Sequence, residues 1–166
     1  MTETVEERKD ISTWESVKML FGASKGFWLV NMVNFGDGIA YFGILTLLTL
    51  FLGKERLGMS DYAAGLSVSM FTGFVTLFMF GGGFISDKLG VRRALTFCLL
   101  LCLTGRIFLS GSPALGGGGH YAAWLGLLIL AYGEGVIQPA LYAGVKEYTD
   151  SRTATMGYGI LSAIMN

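Results

Sequence analysis

Charges divide this chain into long apolar blocks. Tyr62 to Ile85 is a run of 24 residues without a charge, and Ala94 to Leu109 is apolar except for Arg106. At 1.5 Å of rise per residue, a bilayer core of roughly 30 Å takes about 20 residues of helix. The first run reaches that length, and the second does so once Val91 to Arg93 form its opening turn. Only a short charged turn around Asp87 joins them, so the two helices must be antiparallel neighbours. The same reading along the chain predicts apolar spans at 26–52, 62–85, 92–109, 121–145 and 153–166.

The breaks between spans carry recognisable signals. Lys54, Arg56 and Asp61 punctuate the first gap, with Ser60 placed to cap the second span, and Ser112, Pro113 and Gly116 to Gly119 predict a flexible third gap. Glu147 to Arg152 forms the fourth. Residues 1–25 hold Glu3, Glu6, Glu7, Arg8, Lys9, Asp10, Glu15, Lys18 and Lys25, too polar for the apolar centre of a signal peptide. Inside this segment Ser12-Thr13-Trp14-Glu15 has the form of a capping box, and Val17, Leu20 and Phe21 follow at helical spacing. That pattern predicts a short amphipathic helix on the membrane surface.

Composition strengthens the membrane reading. The chain is 52% hydrophobic and 14% charged, with a mean hydropathy of +0.57, whereas soluble domains are about 25% charged. The lipid bilayer is therefore its first partner. Its 12 basic and 12 acidic residues cancel, which leaves no basic field to recruit nucleic acid. Arg8, Lys9, Lys18, Lys25, Lys88, Arg92, Arg93, Lys146 and Arg152 fall on the N-terminal side of the spans, against Lys54 and Arg56 opposite. By the positive-inside rule, the N-terminus and the Asp87 turn face the cytoplasm across the inner membrane.

The 25 glycines exceed what helices floating in lipid need. Gly65, Ser69 and Gly73 repeat every four residues, as do Ala131 with Gly135 and Ala140 with Gly144. Small residues at that spacing let helix backbones approach closely. Gly81-Gly82-Gly83 would let the second span bend or crowd a neighbour. Cys98 and Cys102 share one helix face but offer too few ligands for a metal, so they are read as small apolar filler.

Three ionisable residues lie inside the spans, where a charge is costly unless it faces a partner or water. Counted from the predicted ends, Asp37 is about 17 Å into the first span and Arg106 about 21 Å into the third, both from the cytoplasmic side. Glu134 is about 20 Å into the fourth span from the opposite side. All three fall near the bilayer middle. Two acids and one arginine at similar depth predict a cluster in which one acid is paired and the other takes up a proton. Asn34, Tyr41 and Gln138 add hydrogen-bonding groups nearby, with Asn31 a turn before Asn34. Gly133, Gly135 and Pro139 predict a distorted helix beside Glu134.

Gly83, Asp87, Lys88, Gly90 and Arg92 follow a pattern of Gly, small or apolar residues, Asp, a base, Gly and then bases. The segment resembles the loop between the second and third helices of major facilitator superfamily carriers, although Val91 stands where a base is common. In that family the Asp and Arg of the loop help hold the cytoplasmic side closed, which implies a gating role for Gly83, Asp87, Lys88, Gly90, Arg92 and Arg93. Within the superfamily the chain looks most like the proton-dependent oligopeptide transporter branch. That branch carries Glu-x-x-Glu-Arg-Phe-x-Tyr-Tyr-Gly in its first helix, where this chain has Asn34 to Gly43, keeping Tyr41 and Gly43 with Asp37 for Glu. It carries Gly-x-Gly-x-x-Lys-Pro-Asn in its fourth, where Gly133 to Ala140 keeps both glycines and the proline but has Gln138 for Lys. Asn166 sits where the branch has an Asn in its fifth helix.

The resemblance implies an all-α membrane protein, the first five helices of a twelve-helix bundle built from inverted repeats. The chain stops inside an apolar run, so the remaining helices of the same carrier are expected partners. The implied function is a secondary active transporter moving a small polar, possibly peptide-like, solute by alternating access with proton coupling. Asp37, Glu134 and Arg106 would couple the proton, and Asn34, Tyr41 and Gln138 would bind the solute. The alternatives are an uncoupled facilitator and a non-transporting membrane assembly subunit. Enzymatic chemistry is not expected, since His120 is alone in a Gly-rich loop and no nucleophile has a nearby base. No cofactor or metal is expected.

Overall fold

The computed structural model describes residue 18 and residues 22–54, 56–150 and 153–165. The expected amphipathic helix around Ser12 and Glu15 lies outside the described residues, as do Arg152 and Asn166. Helix α1 spans Lys25–Leu52, α2 Asp61–Leu89, α3 Val91–Gly111, α4 Gly119–Tyr148 and α5 Ala154–Met165. A 3-10 helix, Ser112–Gly118, joins α3 to α4.

Local chemistry accounts for most of these ends. The Ser24 hydroxyl accepts a hydrogen bond from Phe27 N at 3.3 Å and so caps α1. Ser60 does the same for α2 through Ala63 N, also at 3.3 Å. Pro113 sits at the start of the 3-10 helix, where its missing N–H costs nothing. The third gap is thus wound rather than loose.

The junction between α2 and α3 differs from the sequence reading. The second span was expected to end at Ile85 with a charged turn after it, yet α2 runs on to Leu89 and Gly90 alone connects it to α3. Asp87 and Lys88 are polar but compatible with a helix, and Lys88 lies in the last turn, where a cation favours the carbonyl end of the dipole. Its ammonium also sits 4.4 Å from the centre of the Phe84 ring, one turn back. Gly90 stops the helix. It has φ of 76°, a left-handed value that glycine adopts without penalty, and its N–H bonds to Ser86 O at 2.9 Å.

Three stretches are long and apolar enough to cross a membrane: Lys25–Leu52, Asp61–Leu89, and Val91–Tyr148, which contains α3, the 3-10 helix and α4. Ala154–Ile164 is a shorter apolar helix. Large apolar side chains such as Phe80, Phe84, Leu100 and Ile107 are exposed on the outer faces, where lipid can cover them.

Helix α4 is the hub of the bundle, packing against α1, α2, α3 and α5. Two apolar cores flank its middle. One gathers Phe27, Val30, Val91, Leu141 and Leu161 toward the Lys25 end, and the other gathers Leu48, Leu52, Phe71, Leu109 and Leu127 toward the opposite end.

Glycine sets how closely the helices approach. A Cβ at Gly105 would lie 2.7 Å from Leu130 N, and one at Gly126 would lie 2.8 Å from Gly105 O, so α3 and α4 touch backbone to backbone. On the other side of α4, a Cβ at Gly82 would meet Pro139 Cγ and Val136 Cα at 3.0 Å, and one at Gly135 would meet Phe78 Cβ at 2.6 Å. Gly144 packs against Val30 and Val91. The Gly65, Ser69, Gly73 stripe does not pack this way: a Cβ at Gly65 or Gly73 would meet nothing within 4 Å among the described residues.

Candidate functional site

Asp37, Arg106 and Glu134 meet between the two apolar cores. Asp37 follows Lys25 by 12 residues in α1, Arg106 follows Val91 by 15 in α3, and Glu134 precedes Tyr148 by 14 in α4. These offsets correspond to depths of about 18–22 Å from the same end of the bundle. The close approach at Gly105 lets Arg106 reach across. Its Nη2 donates to Glu134 Oε1 at 2.9 Å. Glu134 is 3% exposed, whereas the Arg106 side chain keeps 26%.

Asp37 joins from the α1 side. One carboxylate oxygen of Asp37, one of Glu134 and the Cys102 sulfur all lie within 4.8 Å of one another. Cys102 stands one turn before Arg106 on α3, and a Cβ at Gly133 would sit 2.7 Å from its sulfur. Reading Cys102 as filler missed this placement, and the signal available was its i, i+4 relation to Arg106. The three atoms could offer ligands to a cation only if Arg106 released Glu134, so the arrangement as it stands is an ion pair with a second acid beside it.

A cavity of about 80 Å³ opens beside the acids, lined by Asp37, Tyr41, Glu134 and Gln138 together with Val75 and Met79 of α2. At about 30 Å³ per water it holds two or three molecules. Tyr41 and Gln138 therefore share one space with the acids. Asn34 does not: it is 1% exposed, and its Nδ2 donates to Leu161 O on α5 at 2.7 Å. On the other side, Arg106 borders a wider apolar cavity of about 470 Å³ between α1 and α3, with Ile39, Ala40, Ile44 and Ile107 among its walls.

The residues expected to gate sit apart from this cluster, at the Lys25 end. Asp87, Lys88, Gly90, Arg92 and Arg93 are exposed and Gly83 is half-buried. Arg92 Nε donates to the Tyr148 hydroxyl at 3.4 Å. The Tyr148 ring covers Gly26, where a Cβ would come within 2.7 Å of it. One aromatic at the end of α4 thereby bridges the starts of α1 and α3, a role that sequence reasoning did not assign to Tyr148.

No curated protein and no solved structure matches the chain. Residues 2–166 match the Major Facilitator Superfamily, nearly the whole chain. With its apolar helices and buried mid-span ion pair, this integral membrane protein belongs to the major facilitator superfamily of transporters.

Proposed function

We propose that the chain forms part of a proton-coupled secondary transporter that moves a small polar solute by alternating access. The observation that carries this reading is the pair of buried carboxyl groups sharing a single arginine beside a polar cavity. Arg106 balances one acid. The remaining charge is removed when the second carboxyl takes a proton and restored when it leaves, so a proton changes the charge of the site by one unit. A charge at mid-membrane costs several kcal/mol unless met by a partner or water. Protonation thus biases which side of the membrane the cavity opens to.

In this reading Tyr41 and Gln138 contact the solute, and Asn34 contributes by holding α1 to α5. The five helices form the N-terminal half of a twelve-helix carrier and close the site against its remaining helices. The Lys25 end faces the cytoplasm, since Lys25, Lys88, Arg92, Arg93 and Lys146 gather there. The likeness of Asn34 to Gly43 and of Gly133 to Ala140 to the oligopeptide branch makes dipeptides the first solutes to assay.

The test is uptake into proteoliposomes of the full-length protein under an inward pH gradient. Asp37→Asn and Glu134→Gln are each expected to reduce gradient-driven uptake about 100-fold, the scale of a lost proton-transfer group. Uptake indifferent to the gradient and to both substitutions would refute the coupling.

At the Lys25 end, Asp87 and Arg92 stabilise the conformation closed to the cytoplasm. Asp87→Asn is expected to raise the inward-open population, read from the labelling rates of single cysteines placed on either side of the membrane. Equal rates in wild type and variant would remove the turn from gating.

A further inference from the structure

Two buried polar atoms have no hydrogen-bond partner, the Oδ1 atoms of Asn31 and Asn34. Their side chains are nearly enclosed, at 2% and 1% exposed. What each amide does at its other end fixes its orientation, because only the NH2 group can donate to a carbonyl. Asn31 Nδ2 donates to Phe27 O at 3.0 Å, and Asn34 Nδ2 to Leu161 O at 2.7 Å. Each Oδ1 is left a bare acceptor, which costs about 1–3 kcal/mol if nothing donates to it.

A buried water resolves this pattern. Side chains at i and i+3 of a helix stand about 5–6 Å apart, and one water carries two O–H donors, enough to serve both oxygens. Asp37 comes next, three residues past Asn34, and is 6% exposed. Asn31, Asn34 and Asp37 thus make a buried polar strip about 9 Å long on α1. Phe27, Val30 and Leu161 wall it with apolar surface.

We propose that Asn31 and Asn34 hold water between α1 and α5, and that this water passes protons between Asp37 and the Lys25 end of the bundle. The inference rests on the proton coupling of Asp37 proposed above. A proton leaves the Asp37 carboxyl for the neighbouring water, which releases one of its own protons onward and is itself restored. The amide oxygens accept hydrogen bonds and take no proton. Phe27, 0% exposed, closes the strip toward the Lys25 end. It packs beside Gly157 of α5, where a Cβ would lie 3.4 Å from Phe27 Cε2. Parting α5 from α1 would break the Asn34 bond to Leu161 and uncover the strip, so proton release is tied to one conformation.

Asn31→Leu tests the relay with little structural cost, because the hydrogen bond of Asn31 stays within α1. The measurement is the infrared carboxyl band of Asp37 after a pH jump on the full-length protein in nanodiscs, assigned by its loss in Asp37→Asn. Asn31→Leu is expected to slow the band about tenfold at unchanged final amplitude, and Asn31→Ser, which restores an acceptor, to return it to within about twofold of wild type. An unchanged rate in Asn31→Leu overturns the relay. So does a loss of amplitude in both variants, which marks a structural role. A wild-type protein with no titrating Asp37 band overturns the proton coupling itself, and that result appears before any Asn31 variant is made.

Discussion

Arg106→Leu is expected to lower stability by about 3–5 kcal/mol, because it leaves the Glu134 carboxylate buried without its cation. The double variant Arg106→Leu/Glu134→Leu should recover most of that loss. Removing both charges ends the desolvation problem, whereas removing one exposes it. Thermal unfolding in detergent would show a deep drop in Tm for the single variant and a shallow one for the double. A single-variant cost below about 1 kcal/mol would mean that water screens the pair as it does at a surface, and the mid-span site would then be open to solvent through Arg106.

Gly105→Ala is expected to cost about 1–3 kcal/mol through overpacking. The added methyl would come within 2.9 Å of Leu130 N, Gly126 O and Leu130 Cβ, two of them backbone atoms that cannot turn aside. Gly65→Ala is the control: it has open space and removes a mid-helix glycine, so it should be neutral or stabilising by about 0.5–1 kcal/mol. The same unfolding assay reads both. Equal effects at the two positions would contradict the backbone contact between α3 and α4. Loss of this contact would also withdraw Arg106 from Glu134, so Gly105→Ala should weaken coupling as well as stability.

The depth of the ionic residues was legible in the sequence because depth along a helix follows from counting residues. Asp37, Arg106 and Glu134 needed only span ends accurate to a turn. Their direction around each helix was not legible, since it depends on which faces pack. That is why Asn34, one turn from Asp37, was expected at the solute cavity but faces α5, and why Cys102 was passed over although it lies against both acids. The glycines show the same limit. Spacing drew attention to Gly65, Ser69 and Gly73, yet the tightest contacts are at Gly105, Gly126 and Gly133, where the neighbour comes from a different helix and no local repeat announces it. The end of α2 was misread for another reason: polarity was taken as a turn signal, but Asp87 and Lys88 are helix-compatible and only Gly90 has the backbone freedom to stop the helix.

The single residue between α2 and α3 has a mechanical consequence. A longer loop would absorb a tilt of one helix as slack, but Gly90 has only its own two backbone angles to take it up. Any movement of the Lys25 end of α2 must therefore appear at once at Val91, and through the rigid α3–α4 contact at Arg106, about 22 Å away along α3. The junction works as the fulcrum of a stiff lever, with Asp87 at one arm and the buried ion pair at the end of the other.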